Sequence, residues 1–494
     1  MPSDSRPQPR LWTWLARAIC LLCLAGMFFG LWHWCGRKGW SHDEVENVHA
    51  GWLIHKGQSP YVDFVHHKPP FYWQFVALYY RFAGDDLGVM LWARHFMLFT
   101  FLLAVAFTFL IGRELFDEWT GWAAAGLLAS NEVIHFPAIE PREQGWMLAF
   151  LLAGLWIFLR SWRRTFRWHH GLLAGTLLGA AFAIHPRAGY PILALALVAA
   201  FDCQFACGWK MVRKRWLALS VFSFAFLAMV SVPYLLYGHS FHRLLYAVSL
   251  TIADIDHFSP KMGMANFYLR TYATLPLVLL GMAFCLLAVW KCARLRTAAF
   301  AALCFFVLAN GQVLSNSRPF VQAFYSAGPF AALLGASTVH ALSRRFPQIA
   351  AFAVAALLAG GFYFSQLHSP FWSAPNDYAV SESRARFLLK VIPPDERYLG
   401  MESHPLFRLD GSRYWFDMNH VMRSLQLLDP TFRHDWVDEL GQTRPYLLGE
   451  DVLGKADHDP EQIPLLHAFI ADHYLKVPNA PFFIRMDVAP ANFP

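Results

Sequence analysis

Long apolar stretches alternate with short polar loops through most of the chain. Runs such as Leu11–Leu31, Trp92–Ile111, Leu217–Leu236 and Ala298–Leu314 approach or reach the roughly 20 apolar residues that cross a hydrocarbon layer. They predict membrane-spanning helices. Near residue 365 the pattern changes: residues 366–494 are polar, punctuated by proline and charged with both signs, with no run long enough to span. There, Tyr378–Val391 has helical periodicity that the Pro393-Pro394 pair ends, and Arg397–Met401 and Pro445–Leu448 read as short strands. The fold class expected is an α-helical polytopic membrane protein with a small C-terminal extramembrane α/β domain. Residues 1–365 form the membrane domain in this reading, with an external loop over 36–87, and residues 366–494 form the second domain.

Composition agrees. Of 494 residues, 56% are hydrophobic and only 15% charged, where a soluble chain carries about 25% charged residues. The net charge of +7 would suit a nucleic-acid binder, but its distribution does not. Basic residues collect in short loops, as Arg160/Arg163/Arg164/Arg167, Lys210/Arg213/Lys214/Arg215, Lys291/Arg294/Arg296 and Arg344/Arg345. Such loops mark the cytoplasmic side of a membrane protein, so membrane lipids are the expected partner and nucleic acid is not. The eight cysteines fall in or beside apolar runs, without disulfide-framework or zinc-ligand spacing, and read as packing residues.

With the N-terminus inside, about eleven spans place every strongly basic loop on the cytoplasmic face. The first run is long and lacks a clean small-x-small cleavage site, so it reads as an uncleaved span. The same threading puts the acidic and His-containing segments, the loop with Asp254, Asp256 and His257, and the C-terminal domain on the opposite face.

Three groups there could do chemistry. Asp43 and Glu44 follow the first span directly; they could cap a helix, serve as general base toward an acceptor or hold a divalent metal through oxygen. His66, His67 and Lys68 precede Pro69-Pro70, which forces extended geometry on Lys68. Its ammonium could pair with a phosphate or snorkel to headgroups, and adjacent histidines alone are weak evidence for a metal. Glu140, Arg142 and Glu143 stand before the fourth span. If that stretch is helical, the two glutamates share a face, and both suit a helix N-terminus. Arg187 and Arg318 sit at external span ends, against the inside preference of Arg, which an anionic ligand would explain. Arg94 could snorkel or pair inside the bundle.

On these residues the chain resembles GT-C-type membrane glycosyltransferases, around the protein O-mannosyltransferases and aminoarabinose-to-lipid-A transferases. The resemblance rests on the Asp43-Glu44 pair after span one, on Lys68-Pro69-Pro70, on Arg94 early in span two and on an acidic site before span four. The stretch HDEVENVHAGWLIHKGQSPYVDFVHHKPPFY (His42–Tyr72) and the Val321–Pro329 segment also look like that group. The likeness implies a multi-pass protein of the bacterial inner membrane with a periplasmic C-terminal domain. It further implies inverting transfer of a sugar from a polyprenyl-phosphate-linked donor to an envelope glycan, lipid or protein. Asp43 would then activate the acceptor with Glu44 supporting, and Lys68 and the Arg residues would hold the donor phosphate. The second acidic site departs from the family pattern, because a lone Asp is usual and Glu140 and Glu143 both stand here. No cofactor is certain; a divalent metal on Asp43 and Glu143 stays open. No Gly-rich phosphate loop occurs, which a lipid-linked donor does not require.

A polyprenyl-linked transporter or flippase is the alternative. It would place polar groups nearer the bilayer midplane, in paired halves with broken helices. The sequence shows no such halves, although His185-Pro186-Arg187 could be counted as one interruption.

Overall fold

The structure is a computed structural model of the 494-residue chain and describes residues 10–65, 69–254, 274–314, 324–369, 371–400, 404–413, 431, 433–454 and 461–489. Among them, eight helices are long and apolar enough to cross a membrane by length and composition: Leu11–Cys35, Val89–Leu115, Glu143–Trp162, Pro186–Ala206, Trp216–Gly238, Thr274–Lys291, Arg296–Val313 and Pro347–His368. The other predicted spans fall on helices that are shorter or more polar, at Glu118–Ala129, Trp168–Ile184 and Gly328–Arg345.

By packing, the chain divides into two compact units. The first comprises Met1–Cys35, Arg94–Ser231 and His257–Ser373; the second comprises Gly36–Ala93, Val232–Asp256 and Ala374–Pro494. The segment expected as an external loop thus packs in the same unit as the C-terminal residues, a grouping that the linear hydropathy pattern does not display.

The first unit is helical. Helix α1 (Arg10–Cys35) lies against Pro347–His368, and Glu118–Ala129 against Gly328–Arg345. One contact is tight for a reason visible in the residues. On Trp168–Ile184, a Cβ added at Gly171, Gly175 or Gly179 would stand 2.1, 2.3 or 2.6 Å from the carbonyl oxygens of Ala218, Phe222 and Phe226. Glycine every fourth residue forms one face, and it lets the helix beginning at Trp216 approach at backbone distance. In lipid, where no hydrophobic drive separates helix from solvent, such small-residue seams drive association. At the Glu118 helix start, the Asp117 side chain accepts from the Thr120 N–H (2.9 Å), while Arg17 forms a bidentate pair with Glu118 at 2.7 and 2.8 Å.

The second unit contains helices α2 (His42–His55) and α3 (Phe71–Ala83), where only a loop was expected. They pack closely: a Cβ on Gly51 would meet Val76 Cγ1 at 2.5 Å. The C-terminal part starts with the helix Asp377–Val391, and Ile392 and two prolines follow it. A five-stranded mixed sheet has the order β2-β1-β3-β5-β4, from β1 (Arg397–Leu399), β2 (Leu409–Asp410), β3 (Leu447–Gly449), β4 (Tyr474–Lys476) and β5 (Phe482–Arg485). Strand β1 runs parallel to both β2 and β3, with Tyr398 opposite Asp410 and Leu447; β5 is antiparallel to β3 and β4. Leu388, Ile392, Tyr398, Leu447 and Ile484 form its core.

Candidate active site

In the second unit, the chain leaves Gly36 and enters α2 through Ser41, whose extended backbone makes it the N-cap. Asp43 and Glu44 occupy the first turn, where the unpaired amides favour negative charge. Glu44 reaches back to accept the Ser41 N–H at 2.7 Å, half of a capping box. The same Oε2 accepts from Lys38 Nζ at 3.1 Å, and the Glu44 side chain is fully buried. Glu44 therefore has the helix-start role that the sequence left open as an alternative, as the N3 member of the capping box, and is paired with Lys38. Asp43 beside it is half-buried. Its carbonyl accepts from Asn47 Nδ2 (2.8 Å), and Asn47 Oδ1 accepts from Trp73 Nε1 (3.0 Å), tying this turn to α3.

His66, His67, Lys68 and Arg318 lie outside the described residues. Their neighbours are fixed: Val65 N–H donates to the Arg413 carbonyl at 2.7 Å, and Pro70 caps α3.

In the first unit, Arg94 is fully buried and donates from Nη1 to the Cys35 carbonyl (2.7 Å), the last residue of α1. Of the two expectations for it, pairing inside the bundle is the one observed. A guanidinium there complements the negative end of the helix dipole.

The condition under which Glu140 and Glu143 would share a helical face does not hold, because the stretch is not one helix. One helix ends at Ile139, Glu140 is extended (φ −75°, ψ 129°), and the next helix starts at Glu143. Pro141 explains the break, since it pushes the residue before it out of helical geometry. Glu140 is fully buried against Arg142 (Oε2 to Nε, 2.6 Å). Glu143 accepts from Gln144 Nε2 at 2.9 Å and lies in the field of Arg187, which the short turn Pro186–Ala188 presents after Ile184. Asp43 and Glu143, the pair considered for a metal, belong to different units.

One cluster escapes sequence reasoning altogether. In the second unit His49, His404 and Asp410 converge, all buried, with one ligand-type atom from each lying within 4.8 Å of the others. His49 Nε2 faces Asp410 Oδ2 at 2.9 Å and His404 Nε2 faces Oδ1 at 3.2 Å. Burial alone would raise the Asp410 pKa, but the two imidazoles together hold it below the ordinary aspartate value. His49 and Asp410 are 361 residues apart along the chain. No spacing rule could have joined them.

The backbone is similar to that of ArnT from Cupriavidus metallidurans, solved bound to undecaprenyl phosphate. The TM-score is 0.57 at 14% identity, covering 91% of this chain and 95% of that one. The apo state of the same protein gives 0.55 at 14% identity, over 91% and 94%. The apo oligosaccharyltransferase of Archaeoglobus fulgidus gives 0.51 at 13% identity, over 97% of this chain and 75% of that one. The chain thus shares its fold with these two proteins, which is the GT-C-type fold that its sequence resembles. No protein-family model and no curated protein matches the sequence.

Proposed function

We propose that this chain is an inverting glycosyltransferase that moves a sugar from a polyprenyl-phosphate-linked donor to an acceptor of the cell envelope, on the periplasmic face of a bacterial inner membrane. The observation that carries this reading is the likeness to ArnT over nearly the whole length of both chains. That structure holds undecaprenyl phosphate, and a structure of the Archaeoglobus oligosaccharyltransferase, with a TM-score of 0.51, holds a tethered acceptor peptide. A lipid donor also suits the first unit, where Leu21, Phe28, Trp32, Leu98, Phe99 and Leu102 line an apolar cavity of about 710 Å³.

Asp43 is the general base. It takes the acceptor proton as the acceptor attacks the anomeric carbon and the lipid phosphate departs. The buried Glu44–Lys38 pair holds the helix turn that presents Asp43. Lys68, Arg187 and Arg318 stabilise the departing phosphate, with the histidines beside Lys68 contributing to its recognition. Of the two glutamates, Glu143 is the second acidic site, because Glu140 is already committed to Arg142. Arg94 positions the end of α1. No step above depends on a metal.

The test is transfer from a panel of synthetic undecaprenyl-phosphate sugars by the purified chain, with mass spectrometry of envelope glycans and glycolipids from cells with and without it. One donor should be consumed and one envelope product lost. Unchanged products, with translocation of a lipid-linked glycan across vesicles, would replace transfer by transport.

A further inference from the structure

Leu406 has φ +65° in a fully buried position. A branched residue in the left-handed region is costly, and such outliers persist where the surroundings demand them. What Leu406 does there is hold two imidazoles. Its carbonyl accepts from His49 Nδ1 (2.7 Å), and its N–H donates to His404 Nδ1 (3.0 Å). With both Nδ1 atoms fixed by one residue, both Nε2 atoms turn to the two oxygens of Asp410.

The direction of these bonds leaves a cation to be accounted for. His49 donates its Nδ1 proton to a carbonyl, so a neutral ring would aim the Nε2 lone pair at a carboxylate oxygen 2.9 Å away. Two acceptors attract only with a positive charge between them. A proton supplies it, and so does a metal ion. An imidazole anchored through Nδ1–H to a backbone carbonyl is the usual second-shell arrangement of a metal-bound histidine, and Asp410 beside Nε2 would be a further donor.

We propose that His49 Nε2, His404 Nε2 and the Asp410 carboxylate bind one divalent transition-metal ion of the zinc class, distinct from any metal on Asp43 and Glu143. Two histidines and one carboxylate are a common zinc donor set with one position left for water. A small cavity of about 50 Å³ borders Asp410 on the side of Gln58, Ser412, Arg397 and Arg413. The ion would clamp α2 to the Leu406–Asp410 segment, and so fix the helix whose first turn carries Asp43.

His404 sets the condition for loading. Its Nδ1 now accepts the Leu406 N–H, so its Nε2 carries the proton. Rotation of the Pro405–Leu406 peptide would turn that N–H away, offer the Pro405 carbonyl to an Nδ1 proton in place of the Phe407 N–H it now accepts at 2.9 Å, and return Leu406 to negative φ. The His404 proton then shifts from Nε2 to Nδ1, and the His49 Nε2 proton leaves to solvent as the ion enters.

The experiment uses the full chain in detergent, stripped with a chelator and dialysed against Zn²⁺ or Mg²⁺. One Zn²⁺ per chain is expected, with a raised Tm that Mg²⁺ does not reproduce and an X-ray absorption spectrum showing two imidazoles and no sulfur. His404→Gln should abolish binding, while the double variant His66→Gln/His67→Gln should keep it. Substoichiometric zinc, sulfur ligands, loss in the His66/His67 variant or full retention in folded His404→Gln would each overturn the site. If His404→Gln does not fold, the ligand spectrum and the His66/His67 variant decide.

Discussion

Lys38 Nζ and Glu44 Oε2 form an ion pair at 3.1 Å in which both side chains are buried, at the start of the helix that carries Asp43. Removing one member of such a pair strands the other charge, at a cost of about 3–5 kcal/mol. Lys38→Met should lower Tm in detergent by that much stability. Adding Glu44→Gln should recover most of it, since Gln can still accept the Ser41 N–H in a capping box. Recovery would mark Glu44 as scaffold. A Lys38→Met chain as stable as the parent would remove that role.

Asp43 predicts a different profile. Asp43→Asn keeps size and shape at the half-buried first turn of α2 but cannot take a proton. Tm should hold to within about 1 kcal/mol, donor binding should persist, and turnover should fall by at least about 10²-fold, the lower range of a general base. Turnover near that of the parent would move the base elsewhere.

The two glutamates before the fourth predicted span separate by variant. Arg142→Ala leaves Glu140 buried without the guanidinium at 2.6 Å and should cost stability. Glu143→Gln keeps its neighbours' hydrogen-bond geometry and should cost turnover. Thermal unfolding and transfer rate, measured on both, distinguish the assignments; the reverse pattern would make Glu140 the reactive acid.

Outside the membrane, Glu439 gives a pH signature. Burial would raise its pKa, yet His434, Ser412 and the Arg413 N–H all bond its carboxylate and lower it overall. A lowered folded-state pKa contributes stability that is present above the unfolded value, about 4.3, and is lost as pH falls through the folded one. Tm should therefore decline in acid. Glu439→Gln should be less stable at neutral pH by about 1–3 kcal/mol and show a shallower acid decline, read by melts across pH.

The glycine seam is tested by adding one methyl group. Gly175→Ala would put Cβ 2.3 Å from the Phe222 carbonyl oxygen, and backbone cannot yield as a side chain would, so the cost should be about 1–3 kcal/mol or more. Gly311 is also helical and has open space around its Cβ position. Gly311→Ala should be neutral or stabilising by up to about 1 kcal/mol. Equal effects at both positions would show that the seam is not tight.

Hydropathy and basic loops were enough to place the long helices of the first unit, because crossing a bilayer is a property of each segment alone, but not the short helix Glu132–Ile139. Asp43, Glu44, Glu140 and Glu143 were visible for the same reason: an acid at the end of an apolar run stands out locally. What each acid does was not visible. Lys38 neutralises Glu44 through a turn whose geometry depends on Ser41, and Pro141, though plain in the sequence, was not read as splitting the two glutamates. The glycines at 171, 175 and 179 form a four-residue repeat in the sequence, but the backbone they face is set only by the fold. His49, Leu406 and Asp410 meet through tertiary folding alone, and the segment 36–87, read as a loop, proved to hold two helices because its buried face is supplied by its own partner helix.

The seam also dictates an order of events during synthesis. Trp168–Ile184 emerges from the ribosome well before Phe222 and Phe226 exist, and its glycine face is filled by that later backbone. Until the helix from Trp216 arrives, the growing chain must carry an open groove in the lipid. A nascent chain arrested between the two helices would expose that strip together with the faces of α1 and Glu118–Ala129 that Pro347–His368 and Gly328–Arg345 later cover, but only the glycine strip demands a partner at backbone distance.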